Sequence, residues 1–231
     1  MKHPQWKMYL CYLPGLLAMA CVARAVPVLY EMIPDRNEHT WWIGIAATVI
    51  MVAIAIGAHN LAKGRRGGYW LSYLFNAIGS GGIIGLLYAE MGWTVELPTL
   101  FSAAVPAAVL GLALCLDSLG QGKRWHKILD VAVLIMDLLL IAASIVLWVK
   151  GYPVFGSFAF FCGICQLFFQ MTCLIAGDKP EGKWRYLSFS GFWAFAVIAV
   201  VVIFILSEGD ILDGLDLDLG IGGKKKKSKK M

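Results

Sequence analysis

The sequence predicts an all-α integral membrane protein, a bundle of about seven transmembrane helices, and three observations carry that prediction. Of its 231 residues, 59% are hydrophobic and only 15% charged, with a mean hydropathy of +0.72. A soluble domain carries about 25% charged residues, so this chain lacks the polar surface to cover a water-facing globule. Seven segments, at 8–33, 41–61, 70–91, 97–118, 127–149, 154–176 and 186–207, reach the length of about 20 apolar residues that a bilayer core demands. Basic residues in the short flanks alternate from side to side as topology signals do. The same composition excludes a disordered chain and a disulfide-stapled secreted module. The net charge of +5 is no nucleic-acid signature, because six of the twenty Lys and Arg sit in the last eight residues. Without them the balance is 14 basic against 15 acidic residues, so no nucleic-acid partner is expected.

Residues 1–207 form the transmembrane helical bundle in this reading, and 208–231 form an acidic and then polylysine tail expected to be disordered. The first segment is too long for a cleavable signal peptide and carries Arg24 and Pro27 where a compact apolar stretch would stand. Loops are short, so neighbouring helices pair as antiparallel hairpins. One flank set holds Lys2, Lys7, Lys63, Arg65, Arg66, Lys123, Arg124, Lys127, Lys179, Lys183 and Arg185; the opposite loops hold Arg36 and Lys150. Eleven against two places the N-terminus in the cytoplasm. Trp41, Trp42, Trp93 and Trp148 then mark the outer interface, and Trp70, Trp125 and Trp184 the inner one. Seven crossings put the C-terminus outside, whereas a polylysine tail is ordinarily drawn to the anionic cytoplasmic leaflet. Six or eight spans would bring it inside.

The inner loops resemble one another: Gly64-Arg65-Arg66 before Tyr69-Trp70, Gly122-Lys123-Arg124-Trp125, and Gly182-Lys183-Trp184-Arg185-Tyr186. The chain therefore reads as one leading helix plus three hairpins. Duplication accounts for this, and so does the shared need of every inner hairpin for a turn, a basic flank and an aromatic anchor.

Polar residues at membrane depth are costly and point to function or to interhelical bonding. Asp137 lies near the middle of the fifth segment, with Asp130 one heptad earlier and about 20° around the helix. Arg24, with Glu31 along its face, offers a counter-charge if the first and fifth helices meet. Cys162, Gln166, Gln170 and Cys173 share one side of the sixth helix; Tyr69, Tyr73, Asn76 and Ser80 share one side of the third, beside Gly81-x-x-x-Gly85. Packing explains both stripes, because small residues let helices approach and amides bond across them. The rival reading is a midplane cavity, kinked open by Pro27 and Pro106, into which Asp137, Asn76, Gln166 and Gln170 all point.

Other chemistry finds less support. All six cysteines lie within spans, and Cys162-x-x-Cys165 lacks the second pair that a disulfide shuttle needs. His3, His39, His59 and His126 share no helix face, so neither a metal nor a cofactor is expected. No phosphate-binding glycine loop, H-E-x-x-H or G-x-S-x-G occurs. Ser188 and Ser190 have no base nearby in the sequence.

Three functions follow as expectations. The first is a small-solute transporter, or the membrane-embedded substrate-binding component of one, using Asp137, Arg24, Asn76, Gln166 and Gln170. The second is a non-catalytic accessory, immunity or sensor protein acting through a partner. Its tail lysines, Lys224, Lys225, Lys226, Lys227, Lys229 and Lys230, would meet a protein, an anionic polymer or anionic lipid. The third is an intramembrane lipid-modifying enzyme built on Asp130 and Asp137; overall an enzyme is the weaker expectation. Each belongs in a lipid bilayer, the cell membrane of bacterial type.

Overall fold

A computed structural model describes residues 5–33, 40–63, 65–119, 123–176 and 180–214. They form seven helices: α1 (Gln5–Glu31), α2 (Thr40–Leu61), α3 (Arg66–Glu90), α4 (Leu97–Leu119), α5 (Lys123–Val149), α6 (Pro153–Ala176) and α7 (Pro180–Gly214). All seven are long and apolar enough to cross a membrane. No strand occurs among the described residues. The acidic stretch continues α7 as helical backbone to Gly214, and the tail lysines lie outside the described residues.

Two helices are central. α3 packs against α1, α2 and α7, and α6 packs against α4, α5 and α7; α1 also meets α4, which closes the bundle. By contact the chain groups as two three-helix sets, α1–α3 and α4–α6, with α7 laid across both centres. The hairpins are its order along the chain.

The most buried helices, α3 and α6, are also the two of lowest hydropathy, while α2 and α5 present Val49, Ile50, Ile54, Val131, Ile135 and Leu138 outward. This is the distribution a bilayer selects, because polar and small residues there must hide against other helices. Glycines make the close approaches. A Cβ on Gly81 would stand 2.5 Å from the Met19 carbonyl oxygen, and one on Gly85 2.6 Å from Val26 Cβ, so the small-residue stripe of α3 seats α1. Tyr73 fills two such notches at once, lying where a side chain on Gly15 of α1 or Gly191 of α7 would be.

Contacts between helices also fix their direction. Gly82 lies against Thr48 and Gly44 against Leu86, so α2 and α3 are antiparallel. Ser72 meets Ser188, and Gly79 meets Phe195, so α3 and α7 are parallel. One end of the bundle therefore gathers Lys63, Arg65, Arg66 and Arg185, and is called the basic end below.

Candidate functional site

The first polar grouping lies between α5 and α6. α5 buries one narrow stripe, Val133, Asp137 and Ser144, and that stripe faces α6. On α6, a Cβ at Gly163 would stand 2.9 Å from Ile141, and Gln170 donates from Nε2 to the Asp130 carbonyl at 2.7 Å. Gln166 sits three residues after Gly163 and four before Gln170, so it shares their α5-facing side. Asp137 sits four residues before Ile141 and seven after Asp130, on the matching stripe. Because the helices run in opposite directions, Asp137 and Gln166 fall at about one level of the α5–α6 seam.

Both side chains are 0% exposed. Neither carboxylate oxygen of Asp137 has a hydrogen-bond partner, nor does Oε1 or Nε2 of Gln166, nor Oε1 of Gln170. Their neighbour Ser144 does have one, donating to the Leu140 carbonyl at 2.6 Å. Tyr12 of α1 reaches the same layer. Its ring stacks on Phe169 at 4.4 Å between centroids, three residues from Gln166 along α6. Cys162 and Cys165 border the layer as free thiols, Cys165 Sγ lying 4.0 Å from Met19 Sδ.

Arg24 and Asn76 do not join this group. Met19 meets Cys165 and Tyr12 meets Phe169, which sets the α1 residue level with Gln166 near 17 or 18. Arg24 is then about 10 Å further along the axis at 1.5 Å per residue. α1 and α5 share no packed interface, so the expected Arg24–Asp137 pair is not formed. Asn76 faces α7, where a Cβ on Gly191 would stand 3.4 Å from its own Cβ. Its Nδ2 donates to the Ser72 carbonyl at 2.9 Å and its Oδ1 is unpartnered. α3 does touch α6 where the Tyr88 hydroxyl lies 3.1 Å from Ser157 Oγ, but that contact is twelve residues, about 18 Å, beyond Asn76. A single cavity holding Asn76 with Gln166, Gln170 and Asp137 is therefore replaced by two separate polar groups.

The second group corrects the reading of Ser188. His59 Nδ1, in the last turn of α2, lies 2.8 Å from Ser188 Oγ. The Ser188 hydroxyl donates to Ser72 Oγ at 2.7 Å. Ser188 therefore has an imidazole beside it, 129 residues away in the chain, which no linear spacing reveals. Because the Ser188 proton goes to Ser72, Nδ1–H of His59 is the donor to Ser188 and not a base toward it. The available hint was positional: a histidine ending α2 and serines opening α3 and α7 share the basic end. Tyr69 and Phe189 flank the imidazole at 5.1 and 4.8 Å, and Arg185 stacks over Phe189 at 5.6 Å.

At the opposite end a shallow cleft of about 380 Å³ lies among Trp93, Thr94, Thr99, Tyr152 and Phe155. Left-handed turns at Gly92 (φ +63°) and Gly151 (φ +97°) shape it, a conformation that favours glycine. Trp93 meets Trp148 edge-on at 6.2 Å, so the two tryptophans assigned to one interface do share one end.

Among the described residues no three His, Cys, Asp or Glu side chains gather as metal ligands. Seven helices long and apolar enough to span a membrane, with buried polar atoms that lack partners between them, fit a multi-pass helical membrane protein. No known protein family, curated protein or solved structure matches the chain.

Proposed function

We propose that the protein is a small-solute transporter, or the membrane-embedded solute-binding component of one, with Asp137, Gln166 and Gln170 as its midplane site. The N-terminus is cytoplasmic in this reading, and the membrane is a plasma membrane of bacterial type. One observation carries the proposal: Asp137 and Gln166, on the packed helices α5 and α6, are wholly buried with all four polar atoms unpartnered. A role in packing would show as a hydrogen bond between helices. An unpartnered buried polar group instead costs about 1–3 kcal/mol, more when charged, so these residues cost stability. Midplane polar groups of this kind are where transporters hold their cargo. Arg24 and Asn76 stand outside the site.

The test is thermal stabilisation of the purified, lipid-embedded chain by a panel of small cationic, zwitterionic and neutral solutes. A stabilising solute should lose its effect in Asp137→Asn and Gln166→Leu. Deletion of 215–231 separates this reading from action through a partner. Solute response retained without the tail supports the site, and activity that vanishes with the tail while solute binding is absent removes it.

A further inference from the structure

We propose that the hydrogen-bonded file His59–Ser188–Ser72 is a proton-uptake path from the basic end to Asp137, so that the proton is the ion handled at the midplane. The inference rests on Asp137 being the working group of the proposed site, and it adds three residues that the site itself does not contain.

The three side chains come from three helices, α2, α7 and α3, and they grade from outside to inside. His59 is partly exposed in the last turn of α2, whereas Ser188 and Ser72 are both buried. A buried serine in a helix ordinarily satisfies its hydroxyl on a carbonyl of the preceding turn. Ser80, Ser144 and Ser190 do so here, at 2.9, 2.6 and 2.7 Å. Ser188 instead reaches across to Ser72 at 2.7 Å and meets His59 at 2.8 Å. With Nδ1 of His59 protonated, donors run in one direction, imidazole to Ser188 and Ser188 to Ser72. Such a file passes a proton without either hydroxyl having to hold a charge, because each accepts one proton as it gives up another.

Inward of Ser72 the polar groups continue through an otherwise apolar core. Asn76, one turn on, aims an unpartnered Oδ1 into the interior. Tyr73, also buried, has its ring 6.5 Å from that of Tyr12, and Tyr12 stacks on Phe169 of α6, three residues from Gln166. The path requires water between these groups, which are too far apart to bond directly. The groups around His59 are Tyr69 of α3 and Ser188, Phe189 and Arg185 of α7; Asp137 lies on the α6-facing side of α5, opposite the helix that carries Gln166 and Gln170.

The balance is simple. A proton from solution binds Nε2 of His59 as its Nδ1 proton passes to Ser188. Ser188 gives its own hydroxyl proton to Ser72, and the last transfer converts the Asp137 carboxylate to the neutral acid. The imidazole then resets by exchanging tautomers. Neutralisation suits a carboxyl in low dielectric without a counter-charge.

Infrared spectroscopy of the full chain in lipid nanodiscs tests this without knowledge of the solute. The expected spectrum contains a protonated-carboxyl band that Asp137→Asn removes, and transfer to heavy water shifts that band. In Ser188→Ala and His59→Gln the shift should slow by about a hundredfold. His59→Gln keeps a side chain able to bond Ser188, so it serves if Ser188→Ala fails to fold. Imidazole added to His59→Ala should restore the fast rate, which a purely structural histidine would not allow. Equal rates in wild type and variants overturn the path, as does the lack of an Asp137 band. Equal rates with a solute response that still depends on Asp137 would remove the path and keep the midplane site. Slowed exchange with no solute response would keep the path and remove the transporter reading.

Discussion

His59 and Ser188 join α2 to α7 by a 2.8 Å hydrogen bond, although α2 makes little other contact with α7 and packs chiefly on α3. The bond should therefore be measurable as a coupling. His59→Ala and Ser188→Ala, singly and together, should give an interaction energy of about 0.5–1.5 kcal/mol in unfolding from mild detergent. Ser190→Ala is the control, since Ser190 bonds the Leu187 carbonyl of its own helix and should show no coupling with His59. Additive effects for His59 and Ser188 would mean that the pair contributes nothing.

The seating of α1 on α3 predicts a graded response at glycine. Gly81→Ala should destabilise by about 1–3 kcal/mol, because the new methyl meets the backbone of Met19, which has no rotamer to adopt. Gly57→Ala should be neutral or stabilising, since a Cβ there has nothing within 4 Å. Thermal midpoints of the two variants decide the matter, and equal midpoints would contradict the packing.

Asp137 should show the signature of a residue kept for function. Asp137→Leu breaks no hydrogen bond and adds apolar surface to an apolar stripe, so stability should hold or rise by about 1 kcal/mol. Solute response should disappear in the same variant. A lowered midpoint that Asp137→Asn restores would instead assign Asp137 a structural bond.

Orientation is open to direct measurement. A reporter fused after Gly122 should read cytoplasmic, and one fused after Gly92 should read external. The reverse pattern would place the basic end outside and turn the proton path to face the other compartment.

Much of the fold was legible because hydropathy and length act locally. Six of the seven helices begin and end within four residues of the segments read from composition, and α7 overruns its segment by six residues at the start and seven at the end. Which helices meet was not legible, and that decides which of the polar residues come together. Helical spacing showed correctly that Asn76 and Gln166 lie on polar faces. It could not show that one faces α7 and the other α5, because periodicity describes a face and never its partner. Arg24 and Asp137 failed for the same reason: each is at membrane depth, but on helices that do not pack together. The His59–Ser188 contact was invisible because histidine at a helix end usually reads as a flank residue. Its meaning depends on two other helices that arrive from distant sequence.

Tyr73 is keyed into both α1 and α7, held where Gly15 and Gly191 leave no side chain in its way. A ring seated in two slots at once acts as a dowel, since α3 can neither rotate nor slide against either neighbour without withdrawing it. Those three helices must therefore travel as one block. If the Asp137–Gln166 layer is ever exposed first to one compartment and then to the other, the moving part is the α4–α6 set. Its bearing surface is then the seam along α6 that meets α7, the largest contact between that set and the block. A crosslink across that seam should then abolish the proposed solute movement, whereas one between α1 and α3 should leave it intact.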